Sequence, residues 1–296
     1  MTNSVSNSAT DAKDSSPPLS RFLARFLKQK AAPSGSYYGE PGAGDSRLIA
    51  IVTVACIIGL WTFVTEAGLI KPLFLPSPLD VIARIGDLFQ DGFSGATLTQ
   101  HMAASFGRIF GSFFLACITG IPLGIAIGCS RVVRGIFDPI IEFYRPLPPL
   151  AYLPLVIIWM GIDESSKIML IYLAMLSPIV ISTRAGVGAV RIEQIQVAYS
   201  MGANSWQVVS QIITRGALPD ILTGMRIAIG FGWTTLVAAE MVAAERGIGF
   251  MVLNASEFLV TDVVIAGILI IGVIAFGFDM LMRYLETKFV PWKGKN

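Results

Sequence analysis

Six apolar segments constrain this chain more than any other feature of its sequence. They run over residues 48–65, 109–129, 136–160, 168–183, 225–244 and 263–282. A helix needs about 20 apolar residues to cross the ~30 Å hydrocarbon layer, and all but the fourth segment approach that length. Composition points the same way. Hydrophobic residues make up 54% of the chain, charged residues only 14%, and the mean hydropathy is +0.68. A soluble globule of this composition would lack the polar surface to cover itself. The chain is therefore expected to be an all-α integral membrane protein with six transmembrane helices.

An even number of crossings puts both termini on one side, and the positive-inside rule selects the side. Sixteen Lys and Arg fall on the side of the termini, in the 1–47 tail, the Arg131–Arg134 loop, the 184–226 loop and the C-terminal tail. Five fall opposite: Lys71, Arg84, Arg108, Lys167 and Arg246. Both termini are expected in the cytoplasm. The polar, Ser-rich start has no cleavable signal pattern, so the first apolar segment reads as a retained signal-anchor. Residues 1–47 form a cytoplasmic tail, partly disordered, in which residues 20–30 read either as a short basic amphipathic helix or as part of that disorder. Residues 48–290 form the membrane domain and 291–296 a cytoplasmic tail.

Several classes of chemistry find no support. Cys56, Cys117 and Cys129 lie in apolar runs without metal-ligand spacing and read as small hydrophobes. No metal site, cofactor motif or acid–base cluster stands out, His101 is given no role, and a net charge of +2 gives no basis for nucleic-acid binding. There is no phosphate-binding Gly-x-x-x-x-Gly-Lys-[Ser/Thr] loop, so ATP hydrolysis would lie on another chain. A secondary transporter is the competing reading from composition, but the intramembrane charge relays it would need are sparse.

Local patterns give the segments character. In the long outer connection, Ser77-Pro78 followed by Val81, Ile82, Ile85 and Leu88 predicts a capped amphipathic helix along the outer membrane surface. In the second span, Gly120, Gly124 and Gly128 form a smooth ridge for close helix packing. The third contains Pro139, Pro146, Pro148, Pro149 and Pro154, which one regular helix cannot hold. Its charges, Glu142 and Arg145, are spaced to pair. Broken backbone at membrane depth needs protein or a water-filled cavity beside it. The segment therefore reads as a translocation path or gate, or else as an anchor near the cytoplasmic interface. In the fifth span, Glu240 reads as a functional group or as an interfacial structural residue.

The 184–226 loop predicts two helices broken at Gly202-Ala203, the second capped by Asn204 or Ser205, with Pro219 restricting the return to the membrane. Gln196-Val197-Ala198, Gly202, nine residues, then Ile212 resembles the cytoplasmic signature of bacterial ABC importer permeases. That signature reads Glu-Ala-Ala, three residues, Gly, nine residues, Ile, one residue, Leu-Pro. The chain departs from it at Gln196 and Val197, and Thr214-Arg215 stand in the Leu-Pro slot. The similarity extends over residues 48–292. The run from Phe143 through Tyr144-Arg145-Pro146 to Leu155, the stretch from Gly161 to Lys167, Ala239-Glu240 with Gly247-Ile248-Gly249-Phe250, and the run from Leu259 to Val264 are similar to the nitrate/sulfonate/taurine branch. Within it, the residues from Gly232 to Glu240 and from Asn254 to Phe258 are most similar to the taurine permeases.

The resemblance implies a type I, methionine-importer-like permease fold in the bacterial inner membrane. It implies two cytoplasmic ATPase subunits, a periplasmic substrate-binding protein and a second permease copy. It implies import of taurine or a related sulfonate, with other alkanesulfonates or nitrate-type anions as the alternative. Gln196, Ala198, Gly202, Ala203, Asn204 and Ile212 would form the ATPase-coupling loop. Tyr144, Arg145, Thr234 and Thr235 are candidates for the substrate path.

Overall fold

The computed structural model describes residues 47–290, so the expectations for residues 20–30 and for the C-terminal tail lie outside the described part. The chain divides into two compact units at residues 64 and 65. Helix α1 (Arg47–Glu66) accounts for the described part of the first. It is apolar along most of its length, and at 1.5 Å per residue its Ile49–Glu66 stretch is long enough to span a bilayer.

The second unit is helical throughout its described length. Helix α2 (Pro78–Gln90) starts as its sequence dictates. Ser77 accepts from the Asp80 amide, Asp80 bonds back to Ser77, and Pro78 occupies the first turn, where no amide partner is needed. Then come α3 (Leu98–Cys129), α4 (Arg131–Tyr144), α5 (Pro149–Met160), α6 (Glu164–Ala189) and α7 (Ile192–Ser200). A short turn, α8 (Ser205–Gln207), passes through a π-helical stretch (Val208–Ile213) into α9 (Thr214–Ala243), followed by α10 (Ile248–Glu257) and α11 (Thr261–Phe289).

One expectation, the broken third segment, is met, and two are corrected. The third apolar segment is two helices, α4 and α5, separated at Arg145–Pro148; α5, with 12 residues, reaches only about 18 Å. Pro139 and Pro154 are absorbed inside these helices. The fourth segment is longer than its apolar run, because Glu164 through Lys167 continue it as α6. The 184–226 stretch is mostly helix. Arg184 belongs to α6, and the helical run resumed at Ser205 continues through Pro219 to Ala243. Among the described residues, five helical runs are long and apolar enough to cross a membrane: α1, α3, α6, α8–α9 and α11.

Helix α6 is the centre of the bundle, with α3 on one side and α9 on the other. The glycine ridge makes the first contact. A Cβ at Gly120 would lie 3.0 Å from Ile179, one at Gly124 would lie 2.6 Å from Thr183, and one at Gly128 would lie 2.5 Å from Val187. Positions rise together on both helices, so α3 and α6 run parallel. The chain between them, α4 and α5, must therefore return along the bundle. Helix α9 runs antiparallel to α6, with Gly216 at Val190, Gly224 at Ser182 and Gly232 at Met175. Lipid tails are as apolar as these side chains, so close backbone approach and dispersion hold the helices rather than expulsion from water. Phe106, Trp233 and Phe278 pack ring on ring where α3, α9 and α11 meet.

Candidate functional site

A cavity of ≈ 480 Å³ lies among the α4–α5 turn, α6 and α9. Its wall includes Tyr144, Arg145, Ser177, Ser182, Thr234 and Thr235. The four residues expected on a substrate path, which come from two distant stretches of the sequence, thus share one space. The prolines explain how. Pro146 and Pro148 cannot continue α4, so the turn carries Arg145 to the cavity wall instead of along a helix.

The electrostatics of this wall are one-sided. Glu142 does not pair with Arg145, as its spacing suggests it should. It lies 3.6 Å from Arg184 of α6, which also binds Asp138 at 2.6 Å. Arg145, exposed on the wall, has no carboxylate partner among the described residues. The hydroxyls of Thr234 and Thr235 both donate to the Phe231 carbonyl, at 2.8 and 2.9 Å, leaving their lone pairs as acceptors. One cation and the hydroxyls of Tyr144, Ser177, Ser182, Thr234 and Thr235 stand on an otherwise largely apolar surface.

The second feature is the α7–α8 hairpin. Gly202 has φ +87°, a conformation that glycine adopts without a Cβ penalty. Asn204 caps the next turn, accepting from the Gln207 amide at 2.8 Å while Gln207 accepts from the Asn204 amide at 2.9 Å. The six predicted coupling residues divide. Ala198 is buried, and Ala203 and Ile212 pack partly buried against the same core of Val187, Val208 and Ile213. Gln196, Gly202 and Asn204 are exposed. The most exposed of the hairpin's large apolar side chains are Met201, at 82% exposure, and Trp206, at 76%. Sequence reasoning missed these two. The signal was present, since Met201 and Trp206 flank the glycine turn at Gly202.

A third feature lies at the opposite end of the bundle. Glu240 is fully buried, and its Oε1 accepts from Ser105 and from Arg108 Nη1, each at 2.7 Å. Its Oε2 accepts from the Gly249 amide at 2.8 Å. Arg108 also binds Glu164 bidentately, at 2.6 and 2.7 Å, and the Arg246 carbonyl at 2.7 Å. His101 accepts from the Gly247 amide through Nδ1, so its proton sits on Nε2, facing the Phe93 carbonyl at 3.0 Å. The first amides of α10 are thus capped by three side chains from α3 and α9. A Cβ at Gly247 would lie 2.4 Å from the Glu240 carboxyl carbon, so a side chain there would evict the carboxylate. Glu240 has the structural role, and His101 has one that the sequence did not disclose. Among the described residues, no cluster of His, Cys, Asp and Glu could hold a metal ion.

This bundle is that of an importer permease. Residues 120–290 match the family described as binding-protein-dependent transport system inner membrane component, and the chain belongs to that family. The chain is 52% identical over 248 residues to the taurine transport system permease protein TauC of Escherichia coli (strain K12), covering 83% of this chain and 90% of that protein. It is 31% identical over 250 residues to the nitrate import permease protein NrtB of Synechocystis sp., covering 82% and 90%. A chain of the inward-facing MetNI methionine ABC transporter superposes with a TM-score of 0.52 at 18% identity, covering 63% of this chain and 95% of that one. The fold is therefore the type I importer permease fold. The chain is an inner-membrane transport subunit that works with ATPase and substrate-binding partners; it is not itself an enzyme.

Proposed function

We propose that this chain forms the path by which taurine, or a closely related sulfonate, passes from periplasm to cytoplasm, driven by ATP hydrolysis on partner subunits. Arg145, on the wall of the ≈ 480 Å³ cavity and without a carboxylate partner among the described residues, carries the reading. A sulfonate is a permanent anion, and an apolar path would charge it a heavy desolvation cost. Arg145 offsets that cost at one end. The acceptor lone pairs of Thr234 and Thr235 suit the ammonium at the other end of a zwitterion such as taurine. The 52% identity to the taurine permease supports the choice of substrate. The likeness to the nitrate permease supports nitrate-type anions and other alkanesulfonates as the second reading, since Arg145 alone would serve them.

In this reading the membrane domain is 48–290, between cytoplasmic tails at 1–47 and 291–296. It crosses six times with both termini inside, α4 and α5 together making the crossing that neither makes alone. Two copies of the chain pair across lipid-embedded faces to close the path. Each docks one of two ATPase subunits through the hairpin within 184–226, where Met201 and Trp206 supply the exposed contact and Gln196, Ala198, Gly202, Ala203, Asn204 and Ile212 shape it. Gly120, Gly124 and Gly128 hold the bundle. The test is uptake of labelled taurine by cells deleted for this chain and complemented with it, against nitrate and longer sulfonates as competitors. Uptake unchanged by the deletion, in cells without a second taurine system, refutes the assignment.

A further inference from the structure

Helix α2 has three sides. Val81 and Leu88, at 1% and 0% exposure, face the protein. Asp80, Arg84 and Asp87 form a charged side, on which Arg84 Nε lies 3.3 Å from Asp262 at the start of α11. The third side is apolar and open: Leu79 is 70% exposed, Ile82 66% and Phe89 49%. The spacings of three and seven residues put these on one stripe of the helix. In the turn before α2, Leu69 and Phe74 are each 67% exposed as well.

We propose that this open side of α2 is embedded in the bilayer surface at its own end of the bundle, which is the outer leaflet when both termini are cytoplasmic. A helix bathed in water on two sides would carry charge on both. Here charge is confined to one side and the apolar stripe lies on the opposite one, as in helices that lie in the interface with one face among acyl chains. Helix α2 packs on α11, whose outward stripe of Ile268, Val273 and Phe276 is exposed and apolar along a membrane-crossing helix. The Arg84–Asp262 pair ties the two where charge belongs, at the level of the headgroups. The Thr261 hydroxyl adds a hydrogen bond to the Leu73 carbonyl, so the anchor is fastened to the start of α11. The occupant is thus lipid, and not a soluble partner.

The test uses the assembled transporter in phosphatidylethanolamine and phosphatidylglycerol vesicles. Cys56, Cys117 and Cys129 are first replaced by Ala, and a nitroxide is placed on Leu79→Cys, Ile82→Cys, Phe89→Cys or Asp87→Cys. The proposal expects labels at 79, 82 and 89 to collide more with oxygen than with a water-soluble nickel chelate, and the label at 87 to show the reverse. Nickel-dominated collision at all four sites overturns it, as does a stripe shielded from both agents until the binding protein is removed. Reduction of the labels by external ascorbate reports orientation separately, so an inverted topology is distinguished from a helix that stays out of the lipid.

Discussion

Arg108 and Glu240, 132 residues apart in sequence, meet at 2.7 Å with both side chains buried. Breaking one member of such a pair leaves the other charge uncompensated, at a cost of about 3–5 kcal/mol. Arg108→Met and Glu240→Met are each expected to lower the unfolding temperature of the purified permease sharply. The double substitution is expected to recover much of the loss, since neither charge then remains alone. Glu164, 59% exposed, can find water in either case. Thermal unfolding in detergent reads the cycle, and strictly additive losses would argue against the pairing.

The glycine ridge gives a graded prediction. Gly124→Leu drives a side chain into Thr183 and into the Val180 backbone carbonyl, which lies 2.9 Å from where the Cβ would stand and cannot rotate away. The cost is expected at about 1–3 kcal/mol or more, read as lower folded yield. Gly120→Ala meets Ile179 at 3.0 Å, a side chain able to shift, and is milder. Gly111→Ala meets nothing within 4 Å and is the neutral control.

Arg145→Gln removes the cation from the cavity wall. Loss of a charge-assisted hydrogen bond, about 1.5–3 kcal/mol, corresponds to roughly a ten- to hundredfold fall in transport. Arg145→Lys keeps the charge and is expected to retain part of the activity. Glu142→Gln should leave substrate affinity unchanged, because Glu142 faces Arg184, 3.6 Å away, and not Arg145. Transport against substrate concentration separates the three. Equal loss in Arg145→Gln and Arg145→Lys would show that shape, not charge, matters there.

What could be read from the sequence was what is fixed by near neighbours. The cap of α2 needs only Ser77, Pro78 and Asp80, and the start of α8 only Asn204 and Gln207. The glycine ridge is legible because spacing by four is itself the packing surface. The Arg108–Glu240 pair was not legible. It depends on helices that meet only after folding, and on Gly247 and Gly249 leaving space for a carboxylate, which no local pattern announces. His101 escaped for the same reason, since its partners are backbone groups at Phe93 and Gly247. The continuity of α9 through Pro219 was hidden as well. Proline is a reasonable stop signal, but here the helix carries it beyond a π-helical stretch that already loosens the i→i−4 ladder.

The hairpin offers the most direct separation of folding from coupling. Gly202 has φ +87° and no atom within 4 Å of a Cβ placed there, so the substitution strains the backbone without causing a clash inside the chain. For a non-glycine residue that conformation costs about 1–2 kcal/mol, less for Asn or Asp, whose short polar side chains tolerate it. Gly202→Ala should therefore destabilise the turn modestly, and Gly202→Asn less. Gly202→Asp carries little extra strain but places a charge beside Met201 and Trp206. If the partner ATPase covers this surface, that charge is buried on docking and transport is abolished while the permease still inserts in the membrane. Co-purification of the ATPase with Gly202→Asn and Gly202→Asp distinguishes the two effects: strain predicts that they behave alike, docking predicts that only Gly202→Asp loses its partner. Normal transport by Gly202→Asp with its ATPase attached would mean that the hairpin is not where the partner binds.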